Sequence, residues 1–232
     1  MIKNGIIQED NIYGIPFKVD LIPVGRSGRP QEKMAVDYIT VHNTGNNQKG
    51  ADAKMHNNYV HKEIGKVSWH FSIDDNIIYQ ELPITEIALH AGDGHGDGNR
   101  KSVGVEICEV GNWKKSRENA LKLIKYLMLN VESLKGDNIT KTIVPHQHWS
   151  GKYCPRIILA EPKGFAGFIS DLKDIMKPAE NKDLDFKEAC TIIGKSNPKI
   201  TVSPEFWETN YKKDENVIKL IKNMAIYINS KK

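Results

Sequence analysis

Tyr38-Ile39-Thr40-Val41-His42 runs directly into Asn43-Thr44-Gly45-Asn46-Asn47, and the prediction of the fold starts from this junction. The residues before the histidine are β-branched or aromatic, which is typical of a strand, and the next five include polar turn formers. The sequence therefore predicts a strand that ends at His42 and places this imidazole beside a loop. Another stretch, Val103-Gly104-Val105-Glu106-Ile107, predicts a strand with its apolar residues on one face and Glu106 on the other.

Strand and helix patterns alternate on both sides of this junction. Helices are predicted from Ala51 to Glu63, Ala120 to Leu134 and Pro162 to Met176, and strands from Val67 to Ile73, Ile77 to Glu81, Val103 to Val110 and Thr142 to Pro145. Residues 91–99 are rich in glycine and aspartate and predict a flexible loop. This order predicts an α/β fold with a mixed central β-sheet flanked by helices.

The last quarter of the chain has a different character. Residues 178–184 are polar and contain a proline, so they predict a linker after a main domain that spans residues 1–177. Residues 185–232 predict a small all-helical module with helices from Asp185 to Gly194, Ser203 to Asn210 and Asn216 to Ile228. So short a module buries little surface alone, and we expect it to pack against the main domain, a second copy of itself or a partner.

Composition excludes several classes of protein. The 232 residues carry 33 Lys and Arg against 29 Asp and Glu, a net charge of +4 without a long basic run, so no nucleic-acid partner is expected. No stretch approaches the apolar length of a membrane span, and the first ten residues lack the core of a signal peptide. We therefore expect synthesis in the cytoplasm, no membrane insertion, and delivery to any outside substrate by another agent.

Histidine and cysteine residues suggest a metal site. His42 ends a strand, and the segment from His146 to Pro155 contains His146, His148 and Cys154. Imidazole and thiolate are ligands that zinc prefers, and a catalytic zinc takes three protein ligands. His42, His146 and Cys154 supply such a set, although spacing alone leaves His148 as an alternative to His146 and leaves open that these are unrelated buried residues.

Two charged residues lie in the same regions. A carboxylate such as Glu106 in an otherwise apolar strand is costly to bury and requires a partner or a function, unless the strand lies at a solvated sheet edge. Lys152 lies two residues before Cys154, so its ammonium could reach the same place, although most lysines are surface residues.

Five motifs occur together in a familiar order. They are Tyr38-Ile39-Thr40-Val41-His42-Asn43-Thr44, Ser68-Trp69-His70-Phe71-Ser72-Ile73-Asp74, Leu89-His90-Ala91-Gly92, Val103-Gly104-Val105-Glu106-Ile107 and the segment from His146 to Ile157. Through them the chain resembles the type 2 N-acetylmuramoyl-L-alanine amidase family, which includes phage endolysins and bacterial autolysins and shares its fold with peptidoglycan recognition proteins. The resemblance covers roughly Val24 to Met176.

The resemblance implies roles for particular residues. It assigns Zn²⁺ to His42, His146 and Cys154, in preference to His148. It further implies that Glu106 is the acid/base carboxylate, that Lys152 stabilises the oxyanion, and that bacterial peptidoglycan is the substrate. Weaker assignments place Trp69, His90 and Arg156 on the substrate side.

The resemblance leaves more than one function open. The expected activity is hydrolysis of the amide between N-acetylmuramic acid and L-alanine, in a phage or prophage endolysin that reaches the wall once a holin opens the membrane. A non-catalytic recognition module and a muropeptide-recycling amidase are the alternatives. Recognition proteins of this fold typically lack the cysteine ligand, so Cys154 favours an enzyme.

Overall fold

The computed structural model describes residues 1–62, 66–136, 138–177, 186–196, 206, 209–210 and 214–230. The chain divides into two compact units, Met1–Met176 and Lys177–Lys232. The linker predicted at residues 178–184 and most of the helix predicted from Ser203 to Asn210 lie outside the described residues.

A seven-stranded sheet forms the centre of the first unit. The strands of this unit are β1 (Ile2–Lys3), β2 (Ile6–Ile7), β3 (Asn11–Ile12), β4 (Ile15–Val19), β5 (Tyr38–Asn43), β6 (Phe71–Ile73), β7 (Ile78–Gln80), β8 (Ser102–Ile107) and β9 (Ile143–Pro145). The sheet order is β3-β4-β7-β6-β8-β5-β9, and β1 and β2 form a separate hairpin. Strands β6, β8, β5 and β9 run parallel, whereas β7 is antiparallel to β6, which confirms the predicted mixed sheet.

Helices cover both faces of this sheet. The described helices of this unit are α1 (Ala53–His61), α2 (Asp97–Arg100), α3 (Trp113–Asn130), α4 (Ile139–Thr142), α5 (Gln147–Ser150), α6 (Arg156–Ala160) and α7 (Gly164–Met176). Two further helices, α8 (Phe186–Ser196) and α9 (Glu215–Ser230), belong to the second unit. Helices α3 and α7 pack with the apolar faces of the strands in the main core. Helix α1 covers the opposite face, where its Ala53 packs against Tyr79. The residues between the core positions, including His42 and Glu106, point to this second face.

Strand β8 lies in the interior of the sheet. It pairs with β6 on one side and with β5 on the other, both parallel. The alternative that Glu106 sits on a solvated edge strand is therefore wrong. Its carboxylate stands on the face opposite the main core, and only 13% of its side chain is exposed.

Some elements differ from the sequence prediction. The segment predicted as a flexible loop at residues 91–99 is hydrogen-bonded internally: the Asp93 carboxylate accepts from the backbone N–H groups of Gly98 and Asn99, and the last residues belong to α2. Helix α3 begins earlier than predicted, because the Asn112 side chain caps it by accepting from the Lys115 N–H. The N-terminal strands β1 to β4 were not predicted.

The second unit is described through its two long helices. Helices α8 and α9 pack together through a small apolar core that contains Ala189, Cys190, Ile193, Ile221 and Ala225. Among the described residues of the whole chain, no helix combines the length and the apolar character needed to cross a membrane.

Candidate metal centre and active site

Adjacent parallel strands bring the predicted ligands together. Strands β5 and β9 pair in parallel, with Val41 opposite Pro145, so the residues that follow lie at the same edge of the sheet. His42 is the next residue on β5, and His146 follows β9 directly. The backbone N–H of His146 donates to the Val41 carbonyl over 3.2 Å, which anchors the start of the loop.

The loop that follows turns back to deliver Cys154. Helix α5 is capped at its C-terminus by Gly151, whose φ of 76° is a left-handed conformation that glycine adopts without strain. The Gln147 N–H then donates to the Cys154 carbonyl over 2.9 Å and closes the loop. From α5, the Trp149 indole N–H donates to the Thr40 hydroxyl over 2.8 Å and holds the loop against β5.

His42, His146 and Cys154 form a compact donor cluster. One ligand atom from each residue lies within 4.8 Å of the other two, and all three residues are buried. The His42 Nδ1 to Cys154 Sγ distance is 3.9 Å. Within the described part of the chain, this is the one group of three or more His, Cys, Asp or Glu residues with such spacing. His42, His146 and Cys154 could therefore hold a metal ion.

The two histidines of the loop have different surroundings. His146 is 5% exposed, its ring centroid lies 4.6 Å from that of His42, and neither of its ring nitrogens has a hydrogen-bond partner among the described residues. His148 is exposed, contacts the Trp149 ring and lines a different pocket. The structure thus brings His146, and not His148, to the cluster.

The protein environment opposes charge on these donors. Burial, followed by the neighbouring His90, His146 and Lys152, holds the pKa of His42 well below its usual value. Burial first, and then Glu106, raises the pKa of the Cys154 thiol to about 12. A bound cation would reverse the effect on the thiol, because a metal favours the coordinating thiolate.

Glu106 stands beside this cluster by strand register. It is opposite His42 in the β5–β8 pair, and its Oε1 lies 3.7 Å from His42 Nδ1. Burial is the largest cause that raises the pKa of Glu106 to about 8, while the charge of Lys152 lowers it. Its Oε2 has no hydrogen-bond partner within the described residues. A buried carboxyl group that has a pKa near neutrality and faces a donor cluster is suited to proton transfer.

Lys152 is exposed on the loop before Cys154 and lines the same pocket as the cluster. Its positive charge lowers the pKa of Glu106, His42 and His146 and favours the Cys154 thiolate. The ammonium is thus the cation that acts electrostatically on the donors and on the carboxylate together.

An open pocket of about 900 Å³ surrounds these groups. The cluster, Glu106 and Lys152 line it together with α1 and the segment after residue 66. Trp69 lines it as well but is only 7% exposed, since its indole N–H donates to the Ser72 hydroxyl and its ring stacks on Tyr59. Trp69 therefore supports the wall of the pocket more than it presents a surface to a ligand.

His90 and Arg156 both have partners within the protein. The ring nitrogens of His90 contact His42 Nε2 and the Ser102 carbonyl, and the residue is 9% exposed. Arg156 forms a bidentate ion pair with Glu109, and its Nε donates to Glu109 Oε1 over 2.8 Å. His90 also lines the pocket, and the expected roles of both side chains toward a substrate stay predictions.

The sequence prediction missed several residues of the site. Met55 and Tyr59 line the pocket, and their i, i+4 spacing on one face of α1 was a signal for them. Glu109 pairs with Arg156 and accepts from the Gly45 N–H over 3.1 Å. No local pattern marks it, because its partners are far away in sequence.

Comparisons with known proteins point to one family. A family model described as N-acetylmuramoyl-L-alanine amidase matches residues 32–157. The N-acetylmuramoyl-L-alanine amidase CwlH of Bacillus subtilis (strain 168) is 40% identical over 216 residues, which cover 91% of this chain and 78% of CwlH. The amidase XlyA of the same strain is 50% identical over 143 residues, which cover 60% of this chain and 46% of XlyA.

Solved structures give the same result. The catalytic domain of XlyA has a TM-score of 0.63 and 44% identity, covering 68% of this chain and 99% of that domain. A mutant endolysin from Bacillus subtilis has a TM-score of 0.63 and 43% identity, with the same coverage. The family match, the long alignment with CwlH and the shared fold show that this chain belongs to the type 2 N-acetylmuramoyl-L-alanine amidase family.

Proposed function

We propose that the chain is a zinc-dependent amidase that hydrolyses the bond between the lactyl group of N-acetylmuramic acid and L-alanine in bacterial peptidoglycan. The observation that carries this proposal is the buried cluster of His42, His146 and Cys154 beside Glu106. Two imidazoles and one thiolate match the donor chemistry of zinc, and three protein ligands leave a fourth position for a reactant.

The dimensions of the cluster fit such an ion. Zinc binds nitrogen at about 2.0 Å and sulfur at about 2.3 Å, so two such ligands at a tetrahedral angle are about 3.5 Å apart. The observed separation of His42 Nδ1 and Cys154 Sγ is 3.9 Å. Neither ring nitrogen of the buried His146 has a hydrogen-bond partner in the described part of the chain, so a ring nitrogen is available to bind a metal ion.

A zinc ion bound by these residues would supply Lewis-acid chemistry, lowering the pKa of a water molecule and polarising the scissile carbonyl. Glu106 accepts the proton of the attacking water as the new carbon–oxygen bond forms. It then returns this proton to the L-alanine nitrogen as the carbon–nitrogen bond breaks. The raised pKa of Glu106 suits it to both steps, because a group that titrates near neutrality can accept and donate a proton.

Lys152 has a separate role in this proposal. Negative charge develops on the lactyl oxygen as water adds to the carbonyl carbon. An exposed ammonium at the mouth of the pocket stabilises that charge electrostatically and does not need to exchange a proton. Lys152 also holds Glu106 closer to its ionised form in the resting protein.

We further propose that the enzyme acts as an endolysin or autolysin on intact walls. The likeness to a solved mutant endolysin from Bacillus subtilis supports this role. The helical module of α8 and α9 would contribute wall binding or self-association. Sedimentation with purified walls and the mass of the chain in solution, measured for the full chain and for residues 1–177, separate these two contributions.

The test removes the metal and then returns it. Chelator-treated protein is assayed on intact bacterial walls and on soluble muropeptides, with and without added Zn²⁺, and the released L-alanine amino ends are counted. We expect cleavage of both substrates to return with Zn²⁺ and not with Mg²⁺. Cleavage of muropeptides alone would indicate a recycling amidase, and binding without cleavage would indicate a recognition module.

A further inference from the structure

We propose that His90 is a positioning residue that fixes the tautomer of His42, so that His42 Nδ1 presents its lone pair to the metal. This inference rests on the proposed function, because it concerns how the chain prepares one of its three ligands. It assigns His90 to the protein side of the site and not to the substrate.

Hydrogen positions follow from a backbone carbonyl. His90 Nε2 lies 3.2 Å from the Ser102 oxygen, and a carbonyl oxygen can only accept, so Nε2 carries a hydrogen. No carboxylate forms an ion pair with the His90 ring among the described residues, so the buried ring is neutral and its Nδ1 is an acceptor. The reverse tautomer would place two acceptors against each other.

The imidazole ring that His90 contacts in this hydrogen-bond network is that of His42. Its Nε2 lies 2.9 Å from His90 Nδ1, so His42 Nε2 must donate the hydrogen. A neutral imidazole with its hydrogen on Nε2 has its lone pair on Nδ1. That atom faces Cys154 Sγ at 3.9 Å and Glu106 Oε1 at 3.7 Å, on the side of the donor cluster. The Ser102 carbonyl thus orients His42 through His90.

Several neighbouring residues hold the His90 ring in position. A Cβ added to Gly104 would lie 2.8 Å from His90 Cγ, so strand β8 has no side chain where the ring passes. The Asn99 side-chain oxygen accepts from the N–H groups of His90 and Ala91, each over 2.8 Å. On the far side, His70 Nδ1 accepts from the Gly104 N–H over 3.0 Å and secures the same backbone. Such support is expected of a residue that positions another.

Residues that orient a metal ligand contribute measurably to metal affinity. Loss of such a partner typically weakens metal affinity by about 10- to 100-fold. The two substitutions that separate shape from hydrogen bonding are His90→Asn and His90→Leu. Their side chains have nearly the same shape, but only the asparagine oxygen can accept from His42 Nε2 at the position of the His90 Nδ1. His148→Phe is the control, because His148 is an exposed histidine near His146 that lies outside the cluster.

The experiment has two readouts on the full chain. Zinc affinity is measured by competition with a chelator, and the position of the hydrogen on His42 is read from nitrogen–proton spectra of the metal-free, histidine-labelled protein. We expect His42 to carry its hydrogen on Nε2 in the native chain. The Leu variant should lose about 10- to 100-fold in zinc affinity, and the Asn variant should recover most of it.

The outcomes distinguish a failure of the inference about His90 from a failure of the proposed function. A Leu variant that binds zinc like the native chain overturns the inference, as does a native His42 with its hydrogen on Nδ1. If the Leu variant fails to fold, the native spectrum alone decides. A native chain that binds no zinc but has the hydrogen on His42 Nε2 would overturn the metal proposal and leave the hydrogen-bond chain intact.

Discussion

Replacing Glu106 with glutamine removes a group that can accept and donate a proton while nearly preserving shape. Glu106 Oε2 has no hydrogen-bond partner within the described residues, and Oε1 is 3.7 Å from His42 Nδ1, so the amide breaks no strong contact. The fold and the donor cluster should therefore persist. What is lost is proton transfer to and from the reacting atoms.

The size of this loss follows from the role. General acid–base catalysis by one positioned group contributes about 10²- to 10⁴-fold to the rate, which is about 3–5 kcal/mol of activation free energy. We expect Glu106→Gln to lower kcat by this factor. KM should change little, because the carboxylate is not needed to bind the ground state.

The matched control is Glu81→Gln, since Glu81 is another buried carboxyl group. Burial raises the pKa of Glu81 well above its usual value, which favours the neutral form, and the glutamine amide has nearly the same shape as that form. Release of L-alanine amino ends from purified walls is measured for native and variant proteins with matched zinc content. A Glu106→Gln protein that turns over at the native rate would refute the assigned role.

Three further predictions concern charge and burial. Lys152→Ala should lower kcat by about 10²- to 10³-fold with zinc content unchanged, and an unaltered turnover would remove Lys152 from the mechanism. Arg29→Met should lower the free energy of unfolding, measured in urea, by about 3 kcal/mol, because Glu86 then loses its partner in a largely buried bidentate ion pair. The double variant Arg29→Met/Glu86→Leu should recover part of this loss. Equal losses in the single and the double variant would contradict the explanation. Burial lowers the pKa of His70 to about 4 from 6.5, so its contribution to stability is present above pH 6.5 and is lost as the pH falls toward 4. Over that range the free energy of unfolding of the native chain, prepared without metal, should fall by up to about 3 kcal/mol more than that of His70→Gln. Unfolding free energies that change with pH in parallel for the two proteins would refute this.

The sequence predicted the elements that have strong local signals. The β-branched run from Tyr38 to Val41 and the alternating segment around Glu106 are paired strands of the central sheet. Local patterns could not find strands β1 to β3, because each has two residues and depends on its partner. They also could not show that β8 lies inside the sheet, which is a property of strand order.

Residues of the site were predictable to the extent that their chemistry is unusual. His42 and Cys154 stood out as donor types near predicted loops, but spacing did not separate His146 from His148. Only the three-dimensional structure distinguishes the two histidines, because α5 turns His148 outward while His146 remains at the strand end. The hydrogen-bond partners of His90 come from residues 42 and 102, and no sequence pattern reports such contacts.

Zinc dependence of the amidase is tested by measuring metal content and bond cleavage together on the native chain and on Cys154→Ser. We expect about one zinc per native chain and release of L-alanine amino ends from purified walls. In the variant, zinc binding should weaken and this release should be lost. Native cleavage without zinc, or full activity in Cys154→Ser, would overturn the proposed function.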